Sequence, residues 1–309
     1  TLHATEAEAR KETLQMLEIY ADTCEQELAM PVIRGNKTDK EKFAGAVNTY
    51  TIECMMHDKK ALQSGTSHYF GQGFAEQFNI TFTDKDNQQK HPYQTSWGLS
   101  TRIIGGLIMT HGDNNGLVLP PRIAPVQVVV VPVAQHKPGV IEKAQELFDS
   151  LKAAGVRVKI DTSDNSLGWK CAQYEMKGVP LRIELGPRDI ENGVCMAVRR
   201  DNGEKTSVAL SEVADRIHEL LDEVQQGLYA KAKRNLDEHT YAAYSLEEAK
   251  ELQERNGGFI KTMWCGDLQC ELDMKEKAGM SSRCIPFAQE KLGKVCACCG
   301  KPAKHMIYW

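Results

Sequence analysis

Residues 126–133 read VQVVVVPV, an apolar run interrupted only by Gln127. A strand of this kind is buried on both faces, so it demands a sheet with helices packed above and below it. The chain that follows supplies them. Residues 139–154 place Val140, Ala144, Leu147, Phe148 and Leu151 at helical spacing and stop at Gly155. Residues 157–161 read as a short strand, 166–176 as a helix, and 180–185 and 194–198 as further strands. A long helix then runs from Ser211, an N-cap with Glu212 and Asp215 in the first turns, to about Lys233. Alternation of this kind defines a three-layer α/β domain with a mixed sheet.

The residues before that run follow another plan. Leu14, Met16, Leu17, Tyr20, Ala21, Cys24 and Leu28 predict a helix over 6–30, ended by Pro31. PVIRG and residues 49–55, TYTIECM, read as strands. In residues 61–72, ALQSGTSHYFGQ, small side chains lie between Gln63 and His68. A loop with one amide, hydroxyls and an imidazole suits a tight pocket for a small ligand. The plain alternative is a strand-to-helix turn with Ser67 as N-cap. Residues 97–125, WGLSTRIIGGLIMTHGDNNGLVLPPRIAP, form a strand-like run ending in Arg102, then an apolar run containing Gly105 and Gly106, then a polar cluster. Arg forks onto phosphate oxygens and glycines let backbone approach a nucleotide, so the stretch suits a polyphosphate.

The last part is set by cysteine. Of ten cysteines, six lie between Cys265 and Cys299. Residues 229–254 read as one charged helix, Gly257-Gly258 breaks it, and FIKTMW is a strand leading into Cys265. Two close cysteine pairs with a segment between them predict a structural zinc site with Cys265, Cys270, Cys296 and Cys299 as ligands. Cys298 competes with Cys299, and Cys284 reads as a packed thiol. The alternative of two disulfides fits a reducing compartment poorly. Net charge is −4, so any nucleic-acid contact must be local rather than global. No apolar run reaches transmembrane length. The chain begins with Thr and enters helical sequence at once, which reads as a piece of a longer protein.

Residues 97–125 closely resemble the third signature motif of prolyl-tRNA synthetases, a subclass of the class II aminoacyl-tRNA synthetases, in the archaeal/eukaryotic-type form. The resemblance runs from Thr1 to Trp309. It implies the C-terminal part of a class II antiparallel-sheet catalytic domain over 1–123. An α/β anticodon-binding domain over 124–232 and a small zinc-binding α+β domain over 233–309 would follow. By the same resemblance His68 and Thr66 face a proline pocket, Gln63 and Thr66 reach ATP, and Ser100 and Arg102 close over it, with Arg102 the main ATP holder. Ile80, Phe82 and residues 93–100 would be central strands. His111 and Asp113 either orient substrate-side loops or are plain helix-end and turn residues.

The strings DTSDNSLGWKCAQYEMKGVPLRIELGPRDIE and RRDNGEKTSV resemble the family's anticodon-binding domain. Trp169 would stack on a base. Lys170, Lys177, Arg182, Arg188, Arg199 and Arg200 would meet phosphates or base edges, and Glu175 and Glu184 would accept from base amino groups. The alternative is solvated charge, with Trp169 packed under the Gly168 turn. The C-terminal domain of the family folds back towards the catalytic domain and runs on to a Tyr near the active site. The first two signature motifs and a Thr-x-Glu loop would lie before Thr1, since TLHAT looks like the segment just after motif two. The implied reaction joins L-proline to tRNA(Pro) through prolyl-adenylate, with ATP and Mg²⁺, in a cytoplasmic homodimer without an editing insertion. The alternative is a synthetase-like tRNA-binding or regulatory protein that has lost activation.

Overall fold

The computed structural model describes residues Thr1–Trp309. They form two compact units: 1–26, 30–106 and 233–309 in one, and 27–29 with 107–232 in the other. The first stretch contains β1 (Leu2–His3), α1 (Glu6–Asp22), β2 (Ile33–Asn36), β3 (Asn48–Met55), β4 (Ala61–Gly71) and α2 (Gly73–Gln77). β5 (Phe82–Thr83), β6 (Gln89–Lys90), β7 (Tyr93–Gly98) and α3 (Arg102–His111) follow. Thr5 and Glu8 start α1 with a reciprocal capping box. The α-helix ends sooner than periodicity predicts, because residues Thr23–Glu27 widen into a π-helical turn before Pro31.

The second stretch holds β8 (Val128–Pro132), α4 (Val140–Ala153), β9 (Val158–Ile160), α5 (Leu167–Met176), β10 (Leu181–Leu185), α6 (Pro187–Glu191), β11 (Val194–Arg199), β12 (Lys205–Ala209) and α7 (Val213–Glu238). The sheet order is β12-β11-β10-β8-β9. β8 pairs in parallel with β9 and β10, and the β10-β11-β12 pairs are antiparallel. Every residue of β8 is buried, as its composition requires. Its Val128 and Val130 pack with Leu147, Leu151, Ile217 and Leu220 from α4 and α7, while Val129 and Val131 pack with Tyr174 of α5. β12 and α6 escaped the periodicity argument. α7 starts at Val213, two residues beyond Ser211.

The third stretch contains β13 (Thr240–Ala242), α8 (Leu246–Asn256), β14 (Phe259–Trp264), α9 (Leu268–Ala278), β15 (Ile285–Pro286) and β16 (His305–Tyr308). The single charged helix expected over 229–254 is therefore two helices. β13 interrupts them because it pairs in parallel with β14, a partner outside any local pattern. α8 restarts on the Ser245 N-cap.

The first unit's main sheet has the order β1-β7-β4-β3-β2-β15, with every neighbouring pair antiparallel. Residues 61–71 are one of its central strands, not a loop or turn. Ser67 is buried and donates from its hydroxyl to the Thr13 carbonyl of α1 at 2.7 Å, so it caps no helix. Small residues are needed here because α1 packs close: a Cβ on Gly65 would stand 3.4 Å from Tyr20. Ile80 lies in no strand, and β5 pairs only with β6 as a separate hairpin, so neither Ile80 nor Phe82 belongs to the central sheet. No helix is long and apolar enough to cross a membrane.

Candidate functional site

The register of β3 and β4 builds one polar face. Thr49, Thr51 and Glu53 are alternate residues of β3 and so share a side. Their partners across the ladder are His68, Thr66 and Gln63. Strict alternation along β4 would put Gln63 opposite to Thr66 and His68. The register slips between Ile52 and Glu53, skipping Ser64, and this bulge brings Gln63 to the same side. On the next strand the partners of Thr66 and His68 are Gly98 and Ser96, both exposed. The side with Gly65 and Ser67 is the one α1 covers, so the Gln63–Thr66–His68 side faces away from that helix.

His68 is half-buried, and desolvation holds its pKa below the usual histidine value. Its Nδ1 lies 2.9 Å from Thr49 Oγ1, which also accepts the Phe43 N–H at 3.0 Å. The Phe43 ring lies 5.1 Å from the imidazole and Phe70 stacks at 5.9 Å. Thr49 was legible as a strand residue, but only pairing shows that it orients the histidine.

β7 ends at Gly98, and Arg102 opens α3 rather than closing a strand. Its backbone N–H is held by Ser100 Oγ at 3.3 Å, and its side chain is exposed with no ion-pair partner. Of the two helix glycines, Gly106 is the packed one: a Cβ there would meet Leu62 at 2.7 Å, whereas Gly105 faces open space.

The far end of α3 and its turn have structural work. His111 is buried and its Nε2 donates to the Leu28 carbonyl at 2.8 Å. Burial pushes its pKa down to about 4, so it is a neutral Nε2–H imidazole. Asp113 grips Arg200 through both oxygens, at 2.6 and 2.7 Å, and this holds the carboxyl down to about 2. Neither side chain is free to orient a substrate loop, and the helix-end and turn reading describes both.

The basic candidates of the second unit divide sharply. Lys170 is buried on the inner face of α5, its Nζ donating to Asp161 O at 3.0 Å and Gln135 Oε1 at 3.2 Å. Arg182 pairs with Glu184 at 2.9 Å and Glu175 at 3.2 Å. Arg199 pairs with Asp201 at 2.8 Å and Glu223 at 3.2 Å, and Arg200 is taken by Asp113. These residues are therefore not free phosphate contacts, because burying an arginine or lysine without an acid would cost too much. Lys177, Arg188 and Trp169 do face solvent, so Trp169 is not packed under its turn. A cleft of about 510 Å³ is lined by Asp113, Asn115, Glu175, Arg182, Asn202 and Lys205 among others.

In the first unit, the thiols of Cys265, Cys270, Cys296 and Cys299 all lie within 4.8 Å of one another. Cys265 Sγ is 3.7 Å from the sulfurs of both Cys270 and Cys299. Four thiolates around a tetrahedral ion with metal–sulfur bonds of ~2.3 Å are spaced by ~3.8 Å, so the set fits zinc. Cys298 turns instead towards Asp273 Oδ2 at 3.8 Å. Cys270 sits on α9, so the first pair is a strand-end plus helix arrangement rather than a simple knuckle. Cys284 is a fully buried free thiol.

Residues 2–111 match the tRNA synthetase class II core domain (G, H, P, S and T), and residues 127–220 match an anticodon binding domain. With the antiparallel sheet and the separate α/β sheet, these define class II aminoacyl-tRNA synthetase architecture. Residues 246–309 match the prolyl-tRNA synthetase C-terminal domain. The whole chain is 58% identical to a proline–tRNA ligase of Lachnospira eligens, of which it spans 64%. It is 57% identical to one of Clostridium novyi, spanning 64%, and 55% identical to proline–tRNA ligase 2 of Bacillus thuringiensis, spanning 65%. The chain is thus similar along its whole length to proline–tRNA ligases and spans just under two thirds of the relatives it matches.

Proposed function

We propose that the protein carrying this chain is a proline–tRNA ligase. The observation that carries this is the single sheet face with Gln63, Thr66 and His68, together with the exposed Arg102 four residues beyond Gly98, the cross-strand partner of Thr66. In this reading the proline carboxylate attacks the α-phosphate of ATP and pyrophosphate leaves. The 3′-terminal ribose hydroxyl of tRNA(Pro) then attacks the prolyl-adenylate and AMP leaves. The Arg102 guanidinium neutralises phosphate charge, Ser100 closes beside it, and Gln63 and Thr66 position the nucleotide. Thr66 and His68 line the proline side. In this reading the Thr49 hydroxyl, which accepts the Phe43 N–H, donates a hydrogen bond to His68 Nδ1, so that Nε2 carries the ring proton as donor towards the substrate. Mg²⁺ would travel on the nucleotide phosphates and water, as that ion commonly does.

Anticodon reading is assigned to the second unit, with Trp169 as a stacking surface, Lys177 and Arg188 on phosphates, and Glu175 at the cleft as a hydrogen-bond acceptor for base edges. The zinc reading assigns Cys265, Cys270, Cys296 and Cys299 as a closed structural site. It predicts that Cys299→Ser abolishes stoichiometric zinc while Cys298→Ser retains it, as metal analysis of the purified proteins would report. The three-domain division at about 123 and 232 and the archaeal/eukaryotic-type architecture belong to the same proposal. The type rests on the C-terminal domain; the relatives named above are bacterial, so it describes architecture rather than source. Ten cysteines outside any disulfide support a cytoplasmic setting, and a homodimer is expected from the family resemblance.

The test is proline-dependent ATP–pyrophosphate exchange by the full-length protein, beside Arg102→Ala. Exchange that requires proline and falls ~10²–10³-fold without Arg102 supports activation at this site. No exchange from the folded, zinc-loaded protein would leave tRNA binding as the leading function.

A further inference from the structure

Beside the three side chains of the proposed activation site lies a buried carboxylate with no role so far. Glu53 is fully buried on the same face of β3, directly across from Gln63. Its Oε1 accepts from Lys37 Nζ at 2.7 Å and from the Thr51 hydroxyl at 2.9 Å. Its Oε2 accepts from Arg283 Nε at 3.0 Å and Nη2 at 2.7 Å. Thr51 is in turn the cross-strand partner of Thr66. Paired residues of this kind have side chains in lateral contact, so Thr51 and Glu53 flank Thr66 and Gln63.

Arg283 comes from far along the chain. It precedes β15, the short strand that adds to the edge of the same sheet beside β2. The approach is tight: a Cβ on Gly35 of β2 would lie 2.5 Å from the Ile285 carbonyl oxygen. The segment is also tied to the thiol cluster. Ser282 and Thr38 both donate to Glu271, the buried neighbour of Cys270 on α9.

We propose that Arg283, Glu53 and Thr51 form a positioning relay through which the C-terminal segment fixes the side-chain geometry of Thr66 and Gln63. This rests on the activation site proposed above. Arg283 and Lys37 lock the Glu53 carboxylate, the carboxylate fixes the Thr51 hydroxyl, and Thr51 sets the lateral packing of Thr66. A site that works by positioning is sensitive to small displacements of this kind. A cluster that merely holds the fold together would lower stability and leave turnover alone.

The experiment measures kcat and KM for ATP and proline in the exchange reaction, using the full-length zinc-loaded protein. Thr51→Val keeps every charge and the side-chain volume while removing the hydroxyl. It should lower kcat about tenfold per folded molecule at an unchanged zinc content, with KM shifting by less than about threefold. Thr51→Ser, which keeps the hydroxyl, should stay within about twofold of the parent. Arg283→Met should lower kcat in the same direction, and Arg283→Lys should recover part of it. If Thr51→Val does not fold, the partly exposed Arg283 pair carries the test. Folded Thr51→Val and Arg283→Met proteins with parental kcat would overturn the relay and leave the ligase reading standing. Absence of exchange in the unsubstituted protein would overturn the ligase reading, and the relay with it.

Discussion

Arg102 of the first unit and three arginines of the second are treated in opposite ways. In the first, Arg102 at the start of α3 is exposed and pairs with no acid. In the second, Arg182, Arg199 and Arg200 are each held by one or more carboxylates. The sequence presents all four as candidate anion contacts. A buried guanidinium must be neutralised within the fold, whereas an exposed one keeps its donors for a ligand. Commitment to an internal partner, rather than residue type, separates binding groups from structural ones.

Substitutions can break that contrast. The largest effect belongs to Arg102→Ala, with exchange reduced ~10²–10³-fold and no change in melting temperature. A fall in stability matching the fall in activity would mean that Arg102 is structural too. Arg199→Met should do the reverse. It strands Asp201, whose side chain is 7% exposed, and should cost about 3 kcal/mol in urea unfolding while leaving exchange per folded molecule intact.

A third test uses pH. His111 is neutral and buried with a folded pKa of about 4, against an ordinary value of 6.5. The unfolded chain takes up the proton first as pH falls, so stability present above pH 6.5 is lost progressively towards pH 4. Denaturation at pH 7 and pH 4.5 should differ by roughly 2–3 kcal/mol more in the parent than in His111→Gln. Equal pH dependence would show that the imidazole is not buried as described. Asp113 contributes in a lower window: its folded pKa of about 2 means that its stabilising pair with Arg200 persists above about pH 4 and is lost towards pH 2. The smallest effect is expected at Trp169→Ala. It should weaken tRNA(Pro) binding by ~1–2 kcal/mol with stability unchanged, as a filter-binding titration would measure. Unaltered binding would remove Trp169 from the interface.

Much of this was readable before any coordinates. The run at 126–133 dictated a sheet covered on both faces, and β8 is buried at every position. Helical spacing marked α4, and residues 166–176 read as the helix that forms over Leu167–Met176. Cysteine spacing selected the four thiols that come together. These signals are local: period, cap chemistry and ligand spacing are written in neighbouring residues.

What the tertiary structure decided is non-local. Only the pairing of β3 with β4 shows that residues 61–71 are a strand, and only its bulge brings Gln63 round to Thr66 and His68. Periodicity cannot foresee a parallel partner for β13 or an acid for Lys170. Residues 230 positions apart, Glu53 and Arg283, meet in one buried cluster. Which charges are spent inside the fold depends on long-range packing, because neutralisation in a low-dielectric interior is settled by whatever the chain brings alongside.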